Sequence, residues 1–253
     1  MEPKKILVLV IAYEGEKTIV GVLDSIRETY WNDAEEILLI DDASPKPDKT
    51  YQIAMAYKKR YMLSKLTVKK NLRNQGYGGN QKIGFNYAIK KGYDIIAIIH
   101  GDGQYSPKYL PKLVKPLVDD KFDMMFGNRI TGNPLKGGMP MWKFIGNRFL
   151  TLIENFLLGQ SLSEYHSGLR AYSCSSLNVI PFNLISNDFV FDTDIIIQYF
   201  HQGLRIGEIE ISTHYDENSH VIHFKQGVEV GINILKSVFS YRFVRPRQKK
   251  FDF

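Results

Sequence analysis

The chain has 253 residues, 44% of them hydrophobic and 24% charged, an ordinary globular balance sufficient for one large α/β domain or two small ones. Its single cysteine, Cys174, excludes an intrachain disulfide and points to a reducing compartment, where a lone buried thiol serves packing rather than attack. The formal charge of +6 leaves nucleic acid, anionic lipid and phosphorylated substrates open as partners, whereas the longest apolar stretch, Ile6–Ala12, falls far short of the roughly 20 residues a membrane span needs.

Ile6–Ile11 reads as a first strand. Lys4 and Lys5 imitate the start of a signal peptide, but Glu14, Glu16 and Lys17 follow at once and no small-residue cleavage site appears. Thr18–Thr29 carries Ile19, Val22, Leu23 and Ile26 at helical spacing. Glu36–Ile40 is a second strand that runs into Asp41-Asp42-Ala43-Ser44. Two adjacent carboxylates repel, so something must compensate them. Hydrogen bonds to a ribose or a base edge would do so, and so would an N-cap helped by Ser44 and Pro45.

Thr50–Tyr61 is helical, Lys65–Lys69 a third strand, and Asn80–Lys91 a helix with Ile83, Tyr87 and Ile89. The segment Asn74-Gln75-Gly76-Tyr77-Gly78-Gly79-Asn80 before that helix has two readings. It is either a phosphate cradle, with backbone amides presented at a helix N-terminus, or a place where loop and helix pack closely. It lacks the Lys-Ser/Thr of a P-loop and does not follow the first strand.

Ile95–Ile99 is a fourth strand, fully apolar, that stops at His100-Gly101-Asp102-Gly103-Gln104. A carboxylate and a carboxamide two residues apart at a strand's C-terminal edge lie where open α/β sheets bind ligands. Oxygen ligands of this kind suit Mg²⁺ or Mn²⁺, which keep substrate phosphates as further ligands. The strand–helix alternation predicts an α/β fold with a mostly parallel sheet flanked by helices.

The second half is less regular. Lys121–Gly127 is strand-like, Thr131–Pro140 is a Gly/Pro-rich loop, Met141–Leu158 and Asp188–Gln202 are helical, and Ile206–Ile211 is a strand. Arg129, Arg148 and Arg170 each follow small or polar residues, and three such guanidinium groups suggest a phosphate-rich site. Lys225–Tyr241 aligns Val228, Ile232, Leu235 and Phe239 on one face. With the basic residues Arg242, Arg245, Arg247, Lys249 and Lys250, it reads either as a peripheral membrane attachment or as a core-packing helix with a solvated tail. Nucleic acid is set aside, because the basic residues show no aromatic interleaving of the kind base stacking uses.

Together these segments resemble the family 2 inverting glycosyltransferases of the GT-A fold, in particular the polyprenyl- and dolichyl-phosphate sugar synthases. The resemblance rests on Val10–Glu14, Leu39–Ser44, Asn71–Ala88, Gly101–Gln104, Gly127–Arg129, Gly146–Arg148, His166–Tyr172, Phe191–Asp194 and Arg205–Ile209, in that order. It implies a single Rossmann-like catalytic domain over residues 1–225, followed by an amphipathic helix and basic tail over 226–253. It implies a transferase that moves a hexose from a UDP- or GDP-sugar to a polyprenyl phosphate, in the cytoplasm at the cytosolic face of a membrane. The alternatives are transfer to a sugar hydroxyl of a glycan or protein, or an inactive nucleotide-sugar-binding protein.

By the same resemblance, Ala12, Tyr13, Glu14, Asp41, Asp42, Gln75, Gly79 and Gly101 line the nucleotide-sugar pocket with Asp102. Asp102 and Gln104 hold Mg²⁺ or Mn²⁺, and Arg129, Lys136, Arg148, Ser167 and Arg170 hold the acceptor phosphate or the departing diphosphate. The Thr131–Pro140 loop closes over the acceptor. His100 replaces the first carboxylate of the usual Asp-x-Asp, either as a further contact to metal or ribose or as a hydrogen-bonding group within the turn. Glu164, ahead of Asp194, is the candidate base should the acceptor be a hydroxyl.

Overall fold

The computed structural model describes residues 3–213, 215 and 224–244. Strand β1 (Ile6–Ala12) is buried at every position. Val8 and Val10 face one core layer with Leu23, Ile26 and Leu113, while Leu7, Leu9 and Ile11 face another with Phe85, Phe191 and Tyr199. A strand apolar on both faces needs helices above and below it. Here α1 (Ile19–Thr29), α2 (Thr50–Arg60) and α4 (Leu110–Val118) cover one face, and α3 (Tyr77–Lys91), the short α6 (Cys174–Asn178) and α7 (Phe191–His201) cover the other.

The seven-stranded sheet also contains β2 (Glu36–Asp41), β3 (Leu66–Lys70), β4 (Ile95–His100), β5 (Met124–Asn128), β6 (Arg170–Ser173) and β7 (Ile206–Glu210), in the order β3-β2-β1-β4-β6-β5-β7. β1 runs parallel to β2 and β4, and β2 to β3. β6 is antiparallel to both its neighbours, and β5 pairs parallel with β7. The registers place Ala12 opposite Asp41, Ile11 opposite His100 and Ile98 opposite Arg170. The ends of β1, β2 and β4 and the start of the reversed β6 therefore share one sheet edge.

Three elements differ from expectation. α3 begins at Tyr77 rather than Asn80, with Gly78 and Gly79 inside its first turn. A Cβ on Gly78 would lie 2.6 Å from the Phe191 side chain, and one on Gly84 would lie 2.3 Å from Leu9, so these glycines let the helix seat closely. β6 has four residues, too few for a periodic signal, and α4 contains Pro111 and Pro116.

Helices α5 (Met141–Leu158) and α8 (Phe224–Phe239) pack on each other. α8 buries Ile234 and Val238 in a cluster with Val190 and Ile197. α5 is inverted. Its buried residues are Asn147, Thr151 and Glu154, while Met141, Ile145, Phe149, Leu152 and Phe156 are exposed, the last two at 68% and 84%. Arg245, Arg247, Lys249 and Lys250 lie outside the described residues.

Candidate active site

A cavity of about 540 Å³ opens at the shared sheet edge. Of the residues singled out in the sequence, Ala12, Tyr13, Asp42, Gly101, Asp102, Gln104 and Arg129 line it. His100, Tyr77, Tyr105, Lys143, Asn147, His166 and Asp192 line it as well. Its far end is walled by Trp142, Gly146 and Leu150 of α5 and by Gly227, Val230, Gly231 and Ile234 of α8.

The paired aspartates are compensated largely by the chain itself. Asp41 is fully buried, accepts hydrogen bonds from the Ser44 amide at 3.0 Å and the Ser44 hydroxyl, and lies 3.3 Å from Lys70 Nζ. Asp42 accepts from Asn71 Nδ2 at 2.7 Å and from the Gln75 and Gly76 amides at 2.9 and 3.0 Å. The glycine-rich segment therefore spends its amides on Asp42 and, through Gly78 and Gly79, on the Asn187 carbonyl at 2.8 and 3.2 Å. That corrects the phosphate-cradle reading in favour of close packing. Asp42 still reaches the cavity, whereas Glu14, Asp41, Gln75 and Gly79 do not line it.

At the end of β4, the Gln104 amide donates to Asp102 Oδ1 at 3.0 Å. Gln104 is buried and its Nε2 has no partner among the described residues. Among the described residues no group of three or more His, Cys, Asp or Glu could hold a metal. Asp102 and Gln104 offer three side-chain oxygens, one of which already accepts the Gln104 amide, a set that suits a Mg²⁺ or Mn²⁺ ion completed by substrate phosphates and water, not a closed protein cage. His100 stands edge-on between Tyr77 and Tyr105, with ring centroids 5.6 and 5.0 Å away. Burial pushes its pKa down to about 4, with Arg129 and Arg170 adding to the shift against the opposing pull of Asp102, so the ring is neutral. Its Nε2 has no hydrogen-bond partner among the described residues, and a Cβ on Gly168 would lie 2.3 Å from it, so only glycine fits there.

The basic residues divide differently from expectation. Arg129 donates from its backbone and Nε to the fully buried Glu164 at 2.8 and 2.7 Å and also pairs through Nη2; the same Nη2 reaches the His166 carbonyl at 2.8 Å. Glu164 is thus a fixed counter-ion, with its oxygens committed to Arg129. Arg170 is fully buried. It donates to the Ser167, Tyr165 and Asp192 carbonyls and lies 3.4 Å from Asp192 Oδ1, so it braces the loop before β6 instead of facing the cavity. Arg148 and Lys136 are exposed, and neither lines the cavity, nor does the buried Ser167. Asp194 bonds the Ser186 amide at 3.2 Å and the Ser237 hydroxyl, tying α7 to α8.

Besides Arg129, the cavity is faced by Lys143, which no motif in the sequence singles out. It stands 5.0 Å over the Tyr215 ring. The available signal was its place one turn before Asn147 on an α5 face that is polar at 143, 147, 151 and 154.

Removing either member of the Arg129–Glu164 pair leaves a buried charge alone, which costs about 3–5 kcal/mol. Glu164→Gln is therefore expected to lower the thermal midpoint by about 6–20 °C for a chain of this size. A midpoint within about 2 °C of wild type, read by calorimetry, would refute the structural role of Glu164.

Residues 7–180 match the family model described as Glycosyl transferase family 2. The UDP-N-acetylglucosamine–dolichyl-phosphate N-acetylglucosaminyltransferase of Methanococcus voltae is 29% identical over 229 residues, covering 87% of this chain and 89% of the relative. The undecaprenyl-phosphate mannosyltransferase of Micrococcus luteus is 24% identical over 211 residues, covering 82% and 83%. A crystal structure of glucosyl-3-phosphoglycerate synthase from Mycobacterium tuberculosis, in complex with Mn²⁺, UDP-glucose and phosphoglyceric acid, superposes with a TM-score of 0.73 at 18% identity. The match covers 96% of this chain and 81% of that one, a likeness of fold. With most of its length inside the matched region and a sheet of this topology, the chain belongs to glycosyl transferase family 2 and is a glycosyltransferase of the GT-A fold.

Proposed function

We propose that the protein transfers a hexose, with inversion and with a divalent ion, from a UDP- or GDP-sugar to a polyprenyl phosphate at a membrane face. One observation carries this reading. A single cavity joins the Asp102/Gln104 turn, a wall bearing Arg129, Lys143 and His166, and an apolar slot between α5 and α8. Those three parts match a metal-bound diphosphate, a phosphate and a prenyl chain in turn. The curated relatives act on dolichyl and undecaprenyl phosphates by name, which supports the same acceptor class here.

In this reading Tyr13 and Asp42 meet the nucleoside, and Asp102 and Gln104 hold the ion. When bound, the ion supplies charge neutralisation for the leaving diphosphate. Lys143 and Arg129 place the acceptor phosphate so that one of its oxygens faces the anomeric carbon opposite the leaving group. That oxygen forms the new C–O bond as the bond to the nucleoside diphosphate breaks. A phosphate is already ionised at neutral pH, so no base is required, in keeping with a Glu164 that is occupied by Arg129. Incubating the purified protein with Mn²⁺, UDP-N-acetylglucosamine or GDP-mannose, and either farnesyl phosphate or soluble glycans tests the reading. Transfer only to glycans would overturn it.

The outward stripe of α5 and the exposed Phe224, Val228, Ile232 and Phe239 of α8 are flanked by the exposed Arg148, Lys225, Lys236 and Arg242. Apolar side chains beside basic ones suit the surface of an anionic bilayer. Among the described residues no helix is long and apolar enough to cross a membrane. Leu152→Glu with Phe156→Glu is expected to cut binding to phosphatidylglycerol vesicles at least about tenfold, with little effect on turnover of farnesyl phosphate in solution. Equal sedimentation of variant and wild type with vesicles would exclude this surface.

A further inference from the structure

The inverted helix α5 carries a carboxylate that the transfer reaction, as derived above, does not use. Glu154 is fully buried. Thr193 of α7 donates its hydroxyl to Oε1 at 2.8 Å, and Oε2 lies 3.2 Å from His166 Nε2. Among the described residues, that imidazole is the only basic side chain within ion-pair distance of Glu154. A buried carboxylate is costly unless it is paired, and a pairing imidazole is thereby drawn toward its charged form.

His166 is also part of the cavity wall. Its Nδ1 is shielded from solvent and has no partner among the described residues, and the contact from Nε2 to Glu154 is close without being aligned as a hydrogen bond. Nearby, Asn147 Nδ2 is buried on the same wall without a partner among the described residues. Arg129 grips the His166 carbonyl, which fixes the backbone from which the ring projects. The wall thus holds, next to Lys143 and Arg129, hydrogen-bonding groups that no described residue satisfies.

We propose that Glu154, held by Thr193, turns and charges His166 so that Nδ1 donates to the acceptor phosphate. His166 is then a phosphate-binding residue, and Glu154 and Thr193 are its positioning residues. This rests on the phosphate acceptor argued above and adds a third cationic contact to Lys143 and Arg129. The charged and titratable groups facing the ring are Glu154 from α5, Glu164 from the preceding turn, Arg129 from the end of β5, and Asp192 from α7. Burial acts to lower the pKa of His166, but Glu154 and Glu164 outweigh it against the opposing Arg129, and the pKa lies above its ordinary 6.5. An arriving phosphate adds negative charge and raises it further.

The test uses the full chain labelled with ¹³C at histidine Cε1, the His166 resonance being identified by its loss in His166→Gln. In wild type, His166 is expected to titrate above 6.5 and to move upward when farnesyl phosphate is added. In Glu154→Gln its pKa should fall by about one unit or more. The KM for farnesyl phosphate should rise at least about tenfold, while the KM for the sugar nucleotide stays within about twofold of wild type. If Glu154→Gln does not fold, Thr193→Val carries the same two measurements with a smaller shift. A wild-type His166 that titrates below 6.5 would overturn the proposal. So would a Glu154→Gln that raises the donor KM and spares the acceptor KM, since His166 would then face the sugar. Absence of transfer to farnesyl phosphate by the wild type overturns the acceptor reading itself, and that control separates the two failures.

Discussion

Asp102→Asn is expected to fold as wild type and to lose turnover by about a thousandfold. The fold survives because the asparagine oxygen can still accept the Gln104 amide bond, now made to Asp102 Oδ1 at 3.0 Å, and the turn at the end of β4 keeps its shape. Turnover falls because a carboxamide is a poorer ligand than a carboxylate for a hard divalent ion, and Gln104 is then the sole other side-chain oxygen proposed to hold it. Metal stabilisation of a departing diphosphate is worth several kcal/mol, and about 4 kcal/mol corresponds to that rate loss. Two measurements separate the causes. The thermal midpoint without ligands should match wild type, and the rise in midpoint with Mn²⁺ plus sugar nucleotide should shrink. Turnover at the wild-type rate would sink the assignment of the ion to this turn.

Much of the fold was legible in the sequence because β1, β2 and β4 are apolar on both faces, and such strands have few homes other than the middle of a parallel sheet. The turn after β4 was legible for the same reason. His100-Gly101-Asp102-Gly103-Gln104 breaks an apolar run so sharply that its polar groups must lie at the sheet edge. The basic residues were less legible. Arg129, Arg148 and Arg170 look alike in sequence, each after small or polar neighbours. Burial separates them: Arg129 lines the cavity and is backed by the buried counter-ion Glu164, Arg170 is spent on carbonyls of the loop before β6, and Arg148 is exposed. That division depends on the reversed β6, whose four residues carry no periodic signal.

Helix α5 shows a second limit. An apolar stripe at helical spacing ordinarily marks the core face. In α5 the stripe through Ile145, Phe149, Leu152 and Phe156 is exposed, and the face with Asn147, Thr151 and Glu154 is buried, where Asn147 meets the cavity and Glu154 meets Thr193 and His166. Periodicity gives the helix but not which side faces in. The same inversion hid Lys143, which reads as one basic residue among 33 until α5 is turned.

Lys143→Met is expected to lower kcat/KM for the acceptor by about 30- to 150-fold, the loss of a charge-assisted contact worth about 2–3 kcal/mol. The pH profile identifies the residue more sharply. Burial pushes the Lys143 pKa down to about 8, and Arg129 adds to this, while Glu164 and Asp102 pull the other way. The ammonium is the form that holds a phosphate, so it is present below that value and lost above it. Acceptor kcat/KM at saturating donor should therefore fall as pH rises through about 8. The donor diphosphate and a divalent ion nearly cancel in charge, so their binding leaves this limb close to where the free chain has it. Lys143→Arg places a guanidinium there that stays charged throughout the range, so the limb near 8 should vanish and activity above it should exceed wild type. His166 can contribute a separate fall, which Lys143→Arg leaves in place. An unchanged limb in Lys143→Arg would assign the titration elsewhere and remove Lys143 from the phosphate site.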